Sequence, residues 1–192
     1  MLPELDQRPI IVAIAGPNGA GKTTFHDIHL KYAGLRYIEA DALAEQLGID
    51  AYEAAKMADA LRRELMAQRE SFAFETVFSD PVGDKRKFLK EAVGIGYTVL
   101  LCFIGLASAD LSEERVSMRV SRGGHDVPTE KLKSRFPRTM ANLKASIREL
   151  PIVCIFDNSD PGSPFRKVAV FKDGRRMSDH AIAPAWLEPL MG

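Results

Sequence analysis

Apolar runs alternate along the chain with stretches in which apolar residues recur every three or four positions. The short runs are typical of buried strands and span residues 9–15, 36–38, 71–75, 97–104 and 152–156. The periodic stretches predict amphipathic helices at 22–32, from about 41, and at 50–69, 80–93, 109–121 and 128–149. This alternation indicates an α/β protein with a mainly parallel, five-stranded sheet flanked by helices.

The pattern changes at the turn-rich segment 157–164 (DNSDPGSP). After it, two short apolar runs flank Asp173-Gly174, a dipeptide that favours a hairpin turn, and a short helix is predicted from about Pro184. The hairpin strands are expected at 168–171 and 175–177. Because no linker is long enough to separate two units, we expect residues 1–192 to form one domain with a C-terminal β-hairpin.

Composition narrows the class of protein. The chain has 192 residues, 46% hydrophobic and 27% charged, so it can bury a core of its own. Its 26 basic and 26 acidic residues cancel, which argues against general electrostatic binding to nucleic acid or anionic lipid. The N-terminus lacks the pattern of a signal peptide, and the longest apolar stretch, 93–109, is too interrupted to span a bilayer. Cys102 and Cys154 lie in strand-like runs, as expected of reduced core residues in a cytoplasmic protein.

A phosphate-binding sequence lies between the first predicted strand and the first predicted helix. The segment GPNGAGKT fits G-x-x-x-x-G-K-[ST] in full and in the required context. Its glycines let backbone N–H groups surround phosphate oxygens, Lys22 reaches the β- and γ-phosphates, and the Thr23 hydroxyl helps to hold Mg²⁺. The motif therefore predicts binding of ATP or GTP with Mg²⁺. The candidate nucleotide-binding residues are Gly16, Pro17, Asn18, Gly19, Ala20, Gly21, Lys22, Thr23 and Thr24.

Carboxylates follow the predicted strands at positions suited to a phosphate acceptor. A kinase needs a base or an orienting carboxylate beside the acceptor hydroxyl, and in a parallel sheet such groups lie past the strand ends. Asp41 follows the second strand, where it could also cap a helix, and Glu39 precedes it in a structural role. Glu75 ends the third strand, where a carboxylate so close to an apolar run needs a partner. Asp157 ends the last strand, where metal binding is an alternative to a loop beside the nucleotide base.

Positive charge is concentrated between Arg115 and Arg138. This segment holds seven basic and two acidic residues, a balance of +5, so the rest of the chain carries −5. Arginines spaced three or four residues apart lie on two predicted helices that are joined by Gly123-Gly124. We interpret residues 115–139 as a helical lid whose arginines bind phosphates and neutralise the transferring group. A solvated charged face and an RNA-binding surface are alternatives, although no aromatic array suited to base stacking accompanies the charges.

Six segments of the chain stand in an order that is typical of a known family. They are IAGPNGAGKTTF at the phosphate loop, YIEADAL after the second strand, FAFETVFS at the third, RVSMRVSRGGHDVP and RFPRTMANL in the lid, and FDNSD after the last strand. The loop is specific by itself, and the others are specific in combination. Together they cover about residues 9–160 and resemble the zeta-toxin family of small P-loop kinases, especially its short chromosomal members.

The resemblance implies a P-loop NTPase fold and a kinase that transfers the γ-phosphoryl group of ATP or GTP to a sugar hydroxyl of UDP-N-acetylglucosamine. Asp41 matches the family's catalytic aspartate, and Glu75 and Thr76 match its substrate-contacting pair. Lys22 and Thr23 match its loop lysine and its magnesium-bearing hydroxyl. The family's phosphate-binding lid arginines are matched by Arg119, Arg122 and Arg135. An antitoxin protein is then a candidate partner.

Two departures from the family leave the acceptor open. Glu39 stands where many members have Asn, and Val77 where many have a second Thr, both near the expected acceptor pocket. The sequence therefore predicts a kinase for a small-molecule hydroxyl, with a UDP-activated amino sugar as one candidate acceptor. A nucleotide-dependent ATPase or switch module without an acceptor, and an RNA-binding regulator that uses the basic segment, are the alternatives.

Overall fold

The computed structural model of the chain describes residues 3–121, 123, 127–177 and 182–191. Its strands are β1 (Ile10–Ala15), β2 (Arg36–Ile38), β3 (Phe72–Thr76), β4 (Thr98–Gly105), β5 (Ile152–Asp157), β6 (Arg166–Lys172) and β7 (Arg175–Arg176). Its α-helices are α1 (Lys22–His29), α2 (Ala40–Leu47), α3 (Ala51–Ala67), α4 (Asp84–Gly94), α5 (Ala109–Val120) and α6 (Thr129–Glu149). Short 3-10 helices occupy Pro3–Asp6 and Glu188–Leu190.

Five parallel strands form the body of the sheet in the order β2-β3-β1-β4-β5, as the sequence predicts. β1 lies at the centre, with Ala15 beside Thr76 of β3 and Phe103 of β4. The C-terminal hairpin continues this sheet, because β6 pairs antiparallel with β5, and β7 with β6. The sheet therefore has seven strands, of which the apolar runs predict the five parallel ones and the turn sequence predicts the hairpin.

The predicted start of α4 is wrong by a few residues, whereas α2 begins near Asp41 as predicted but is not capped by that residue. α2 begins at Ala40 with the extended Glu39 as its N-cap residue, so Asp41 lies in the first turn and does not cap the helix. α4 begins at Asp84 rather than at Asp80. The Asp80 carboxylate instead accepts a hydrogen bond from the main-chain N–H of Asp84. Asp80 thus bonds to the first residue of α4 from the loop that precedes the helix.

Each face of the sheet carries its own hydrophobic layer. Along β1, Ile11 faces one layer and Ile10 the other, as expected of a strand that is covered on both sides. α3, α4 and α6 close the first layer, and α1 and α5 close the second. Cys102 and Cys154 lie buried opposite each other on β4 and β5 as reduced thiols, in agreement with the prediction.

The C-terminal segment forms less helix than its sequence suggests. After Pro184 it makes a 3-10 turn at Glu188–Leu190 in place of the predicted helix. Throughout the described part of the chain, every helix lacks either the length or the apolar character needed to cross a membrane.

The carboxyl ends of the parallel strands meet at one edge of the sheet, and the predicted site residues lie there. The phosphate loop follows β1, α2 starts directly after β2, and Glu75 lies at the end of β3. Parallel strands bring the segments that follow them to the same edge. The topology therefore gathers Lys22, Asp41 and Glu75 from three separate parts of the sequence.

Candidate active site

The phosphate loop connects β1 to α1 and depends on glycine at its tightest points. Gly19 and Gly21 have φ angles of 73° and 84°, a conformation that residues with a side chain rarely adopt. A Cβ atom at Gly16 would overlap the main-chain oxygen of Ile104 on β4, so this position also requires glycine. The loop ends at the N-terminus of α1, where main-chain N–H groups are suited to phosphate oxygens.

Lys22 and Thr23, which close the motif, both contact Glu75. Nζ of Lys22 donates a hydrogen bond to the main-chain oxygen of Pro17 (3.1 Å) and lies 3.6 Å from Oε1 of Glu75. Oγ1 of Thr23 lies 2.8 Å from Oε2 of Glu75 and 3.2 Å from Oε1 of Glu39. The carboxylate at the end of β3 thus has the charged partner that its position requires.

Tyr37 of β2 completes the surroundings of Glu75. Its hydroxyl donates to Oε2 of Glu75 (2.8 Å), and its ring stacks on the imidazole of His26 at 3.7 Å between centroids. Burial, followed by the charge of Glu75, raises the pKa of Tyr37 far above its usual range, so the phenol stays protonated. The motifs indicate neither Tyr37 nor the contact of Glu39 with Thr23. The alternation of side chains along a strand could have indicated both residues. Tyr37 and Glu39 lie two positions apart in extended backbone, which places their side chains on the same face.

Glu39 occupies an unfavourable electrostatic position. Burial, and then the charge of Glu75, raise the pKa of its carboxyl, although the hydrogen bond from Thr23 opposes the shift. Two carboxylates therefore converge on the hydroxyl to which the motif assigns Mg²⁺. In the described ranges, no group of three His, Cys, Asp or Glu side chains could hold a metal ion. Thr23 would hold Mg²⁺ together with phosphate oxygens, and in nucleotide sites this ion usually also takes one or two carboxylates.

A cavity of about 300 Å³ lies over the phosphate loop. Loop residues between Gly19 and Thr24 line it together with Glu75 and two arginines of α5, Arg115 and Arg119. Lysine, arginine and main-chain N–H groups are the donors that bind phosphates in proteins. The residues of this cavity therefore fit the phosphates of a nucleotide.

A second cavity, of about 600 Å³, contains the predicted acceptor residues Asp41 and Thr76. Two carboxylates line it, those of Asp41 and Asp80, against five cationic side chains. The cations are Lys85, Arg119, Lys131, Arg135 and Arg138. A smaller cavity of about 170 Å³ shares Asp41 and Thr76 with it and is also lined by Glu39 and Glu75. This second region therefore offers both a carboxylate for a hydroxyl group and an excess of positive charge.

Arg119 and Glu75 lie where these cavities meet. Arg119 lines both the cavity over the loop and the 600 Å³ cavity. Glu75 lines the cavity over the loop and the small cavity that contains Asp41. A phosphoryl group that moved from one cavity to the other would pass Arg119, whose charge suits the negative charge of such a group.

α5 is anchored directly on the phosphate loop, which fixes the position of Arg119. Oγ of Ser112 donates to the main-chain oxygen of Asn18 (2.6 Å). Gly19 leaves just enough room for the helix, since a Cβ atom there would lie 3.0 Å from Cβ of Arg115 and from the oxygen of Ser112. Ser112, Arg115 and Arg119 are spaced by three and four residues and share one face of α5.

Asp157, at the end of β5, holds the C-terminal segment. Its carboxylate accepts hydrogen bonds from the indole N–H of Trp186 (3.1 Å), the main-chain N–H of Ser159 (3.2 Å) and the guanidinium of Arg166 (3.2 Å). The next residue, Asn158, donates to a main-chain oxygen of the phosphate loop at 2.9 Å. The β5–β6 loop thus lies beside the phosphate loop.

A sequence profile described as Zeta toxin matches residues 28–166, well over half of the chain. The chain belongs to the Zeta toxin family. The resemblance to this family is thereby confirmed, and five of the six segments lie within the matched range. Membership of this family agrees with the prediction of a phosphotransferase of the P-loop kinase type. No curated protein matches the sequence significantly.

Solved structures share the fold of this Zeta toxin family member at low sequence identity. A chain of the AvrRxo1-ORF1:AvrRxo1-ORF2 complex with sulphate ions is 18% identical, with a TM-score of 0.72, over 97% of this chain and 64% of that one. This chain therefore spans less than two thirds of its length. A second structure of that complex, with ATP, has a TM-score of 0.69 and 18% identity over 91% and 61% of the two chains.

Two other neighbours come from bacteria. A chain from the structure of the PezAT chromosomal toxin–antitoxin system of Streptococcus pneumoniae is 20% identical. Its TM-score is 0.58, over 78% of this chain and 69% of that one. A gluconokinase from Sinorhizobium meliloti 1021 is 20% identical, with a TM-score of 0.52, over 81% and 86% of the two chains. At these identities the likeness concerns the fold, and it confirms the predicted α/β P-loop class.

The structure of this family member brings most of the predicted site residues together. Lys22, Thr23 and Glu75 are in direct contact. Four further predicted residues line the 600 Å³ cavity, namely Asp41, Thr76, Arg119 and Arg135. Arg122, the remaining predicted lid arginine, lies outside the described residues.

Proposed function

We propose that the chain is a kinase that transfers the γ-phosphoryl group of ATP or GTP to a hydroxyl group of a small molecule. The observation that carries the proposal is the junction at Arg119, where the cavity over the phosphate loop meets a cavity that contains Asp41. A simple ATPase needs the first cavity alone, whereas a kinase needs a second site for its acceptor. The similar complex that was solved with ATP supports a nucleotide in the first cavity.

On the nucleotide side, the proposal assigns distinct roles to Lys22 and Thr23. Lys22 exchanges Pro17 and Glu75 for the β- and γ-phosphates, and its present contacts at 3.1 and 3.6 Å are weak enough for this exchange. Thr23 turns its hydroxyl to the cation. When bound, Mg²⁺ supplies positive charge that neutralises the phosphates. Main-chain N–H groups of the loop hold the remaining phosphate oxygens.

On the acceptor side, Asp41 orients the hydroxyl group and takes up its proton as the new O–P bond forms. Arg119 and Arg135 stabilise the negative charge of the transferring group. Glu75 and Thr76 bind the acceptor at the floor of the cavity. This assignment is supported by the cavity linings, since Thr76 lines both acceptor cavities and Glu75 lines the smaller one.

We propose that the acceptor is anionic and larger than a simple sugar. Five cations and two carboxylates line the 600 Å³ cavity, a balance that favours a negatively charged ligand. A UDP-activated amino sugar combines phosphates with a free sugar hydroxyl and suits both features. Val77 lines both acceptor cavities and Glu39 lines the smaller one. The two departures from the family therefore lie where the protein would discriminate between acceptor molecules.

The wider assembly is proposed on the same basis. Residues 115–139 act as a lid, since Lys131 and Arg135 of α6 line the acceptor cavity with Arg119 of α5. Arg122, which we assign to the same lid, lies outside the described residues. The lid and the sheet belong to one domain, residues 1–192. An antitoxin is the proposed protein partner, by analogy with the PezAT system.

A phosphate-transfer screen tests the proposal. The protein is incubated with γ-labelled ATP or GTP, Mg²⁺ and panels of UDP-sugars, nucleosides or aminocyclitols, and mass spectrometry locates the added phosphate. We expect transfer to a UDP-sugar and little transfer to uncharged or cationic acceptors. Hydrolysis of ATP that no hydroxyl compound alters would favour the ATPase module. RNA binding that weakens steeply with salt would favour the RNA-binding regulator.

The Asp41→Asn variant tests the role of the proposed base. Removal of a general base lowers the rate of transfer by about 10²–10⁴-fold, whereas nucleotide affinity should stay the same because Asp41 lines the acceptor cavities. Asp173→Asn is the matched control, since Asp173 lies in the hairpin turn at a φ of 49°, which Asn also tolerates. Equal transfer rates for wild type and Asp41→Asn would remove Asp41 from the mechanism.

A further inference from the structure

Three side chains hold the Glu75 carboxylate, and we expect nucleotide binding to draw two of them away from it while the third stays. Lys22 lies 3.6 Å from Oε1, and Thr23 donates to Oε2 at 2.8 Å. Both belong to the phosphate loop, and both turn to the phosphates and the cation when the nucleotide binds. Tyr37 also donates to Oε2 at 2.8 Å, but it belongs to β2 and has no role in the loop motif.

The sheet register explains how Tyr37 reaches Glu75. Tyr37 lies beside Ala73 of β3, and Ala73 and Glu75 are two positions apart on the same face of that strand. Tyr37 therefore contacts a diagonal neighbour across the small side chain of Ala73. On its other side the phenol ring stacks on His26 of α1, with an interplanar angle of 9°. These two contacts come from residues outside the loop motif, and they add to an interaction of the Tyr37 hydroxyl with Thr23.

Glu75 needs such a support because a second carboxylate lies close to it. Glu39 approaches the same Thr23 hydroxyl at 3.2 Å. Once Lys22 and Thr23 have turned away, the repulsion between Glu75 and Glu39 is no longer offset by the loop. A fixed donor is then what keeps the Glu75 carboxylate in place.

We propose that Tyr37 is a positioning residue, whose hydroxyl keeps Glu75 at the junction of the nucleotide and acceptor cavities when the phosphate loop is occupied. The consequence for transfer rests on the proposed function, because the role of Glu75 toward the acceptor comes from there. The hydrogen bond between Tyr37 and Glu75 can be examined in the nucleotide-bound protein without turnover.

The kinetic test uses Tyr37→Phe, which keeps the ring and its stacking on His26. A hydrogen bond to a charged group supports an effect of about tenfold or more on kcat, with KM for ATP nearly unchanged. In the Glu75→Gln background the same substitution should change kcat much less, since the charged carboxylate is replaced by an amide that accepts only a neutral hydrogen bond. Equal effects in both backgrounds would show a merely structural role and overturn the proposal.

Tyr97→Phe is the matched control. The Tyr97 hydroxyl donates to the main-chain oxygens of Met66 (3.2 Å) and Glu70 (3.0 Å), away from the cavities. We expect this variant to melt at a lower temperature while its kcat stays at the wild-type value. Its effect on the melting temperature should be the same with Glu75 or Gln at position 75.

The structural test needs no acceptor. Crystal structures of the wild type and of Tyr37→Phe are determined with Mg²⁺ and a non-hydrolysable ATP analogue. We expect the wild-type Glu75 carboxylate to remain within hydrogen-bond distance of the Tyr37 hydroxyl, and to move in the variant. A wild-type Glu75 that leaves Tyr37, or stays on Lys22, would overturn the proposal. If no acceptor is ever phosphorylated, the proposed function fails, while this structure still decides the role of Tyr37.

Discussion

Thr23 has one hydroxyl proton, yet the carboxylates of Glu39 and Glu75 both lie within hydrogen-bond distance of it. The hydroxyl can donate to one carboxylate at a time, so the other carboxylate lies beside the hydroxyl oxygen without a hydrogen bond from it. Glu75 also has Lys22 and Tyr37 beside it. The ligand-free site therefore carries an electrostatic cost that falls mainly on Glu39, as its raised pKa indicates. Functional sites commonly carry such costs in exchange for ligand binding.

Replacement of Glu39 by Gln should stabilise the ligand-free protein at neutral pH. Since burial and Glu75 raise the folded-state pKa of Glu39 above its usual 4.5, the folded protein holds the proton more tightly than the unfolded chain. Stability then falls as pH rises from about 4.5 through the folded pKa, and the loss persists at higher pH. Glu39→Gln should melt above the wild type at pH 7–8, and the difference should vanish near pH 4.

Thermal melting followed by circular dichroism from pH 4 to pH 8 measures this difference. Glu45→Gln, at an exposed position of α2, is the matched control and should melt with the wild type at each pH. A Glu39→Gln variant that melts below the wild type at pH 8 would contradict the electrostatic explanation.

Motif residues are the part of the site that could be predicted from the sequence. Lys22 and Thr23 belong to a local pattern whose geometry is fixed within one loop. The contact between Tyr37 and Glu75 spans 38 positions and depends on the register of β2 against β3, which no local pattern specifies. Asp41 lines the 600 Å³ cavity, and its place in the first turn of α2 follows from the extended Glu39 before it.

At the scale of elements, the contact of α5 with the phosphate loop predicts a coupling between helix position and nucleotide binding. A Gly19→Ala side chain would lie 3.0 Å from α5 and would press the helix and Arg119 away from the loop. It would also add backbone strain of about 1–2 kcal/mol, because Gly19 has a φ of 73°. We expect weaker binding of a non-hydrolysable ATP analogue, measured by calorimetry.

Gly34→Ala separates these two effects. Gly34 has a similar φ of 67°, but a Cβ atom there would meet nothing within 4 Å. The control should therefore lose comparable stability and keep its affinity for the ATP analogue. Equal affinities for the two variants would mean that the contact with α5 does not influence the loop.

Element boundaries were harder to predict than element types. The apolar runs predict β1 and β4 most clearly because a strand buried on both faces is apolar throughout, whereas β2 is only partly buried. The start of α4 was placed too early because Asp80-Pro81 has the composition of a helix start. Asp80 instead bonds to Asp84 from outside the helix. Which of several capping side chains is used depends on the path of the preceding loop over the core.

At the scale of the whole molecule, the C-terminal segment closes the sheet through one side chain. Trp186, the single tryptophan of the chain, packs over Gly105 at the end of β4 and donates to Asp157 at the end of β5. A Gly105→Ala side chain would overlap the indole ring. Overpacking of this kind costs about 1–3 kcal/mol, which lowers Tm by roughly 2–12 °C for a chain of this length.

Intrinsic fluorescence reports this displacement directly, since all tryptophan emission comes from Trp186. In Gly105→Ala we expect emission at longer wavelength, because the displaced indole is more exposed to water. Gly94→Ala, at the end of α4 where a Cβ atom meets nothing within 4 Å, is the matched control. It should keep both the wild-type emission and the wild-type Tm. Unchanged emission in Gly105→Ala would show that the segment does not depend on this contact.

The distribution of charge is also a property of the whole molecule. The sequence predicts a balance of +5 between residues 115 and 138, and four cations of that segment line the acceptor cavity. Lys133 belongs to the same segment but pairs with Glu113 at 3.6 Å. Lys85, from α4, joins the cavity from outside the segment. Sequence counts therefore predict the sign of the cavity charge, while the fold decides which residues supply it.

The outer strands of the sheet, β2 and β7, have only three and two residues in the part of the chain that the structure describes. An edge strand recruits a strand from another chain by offering it a row of main-chain hydrogen-bonding groups, and the attraction depends on the length of that row. Edges this short provide little template for strand addition. Recognition of this fold by another protein would therefore depend on complementary side chains rather than on a shared sheet.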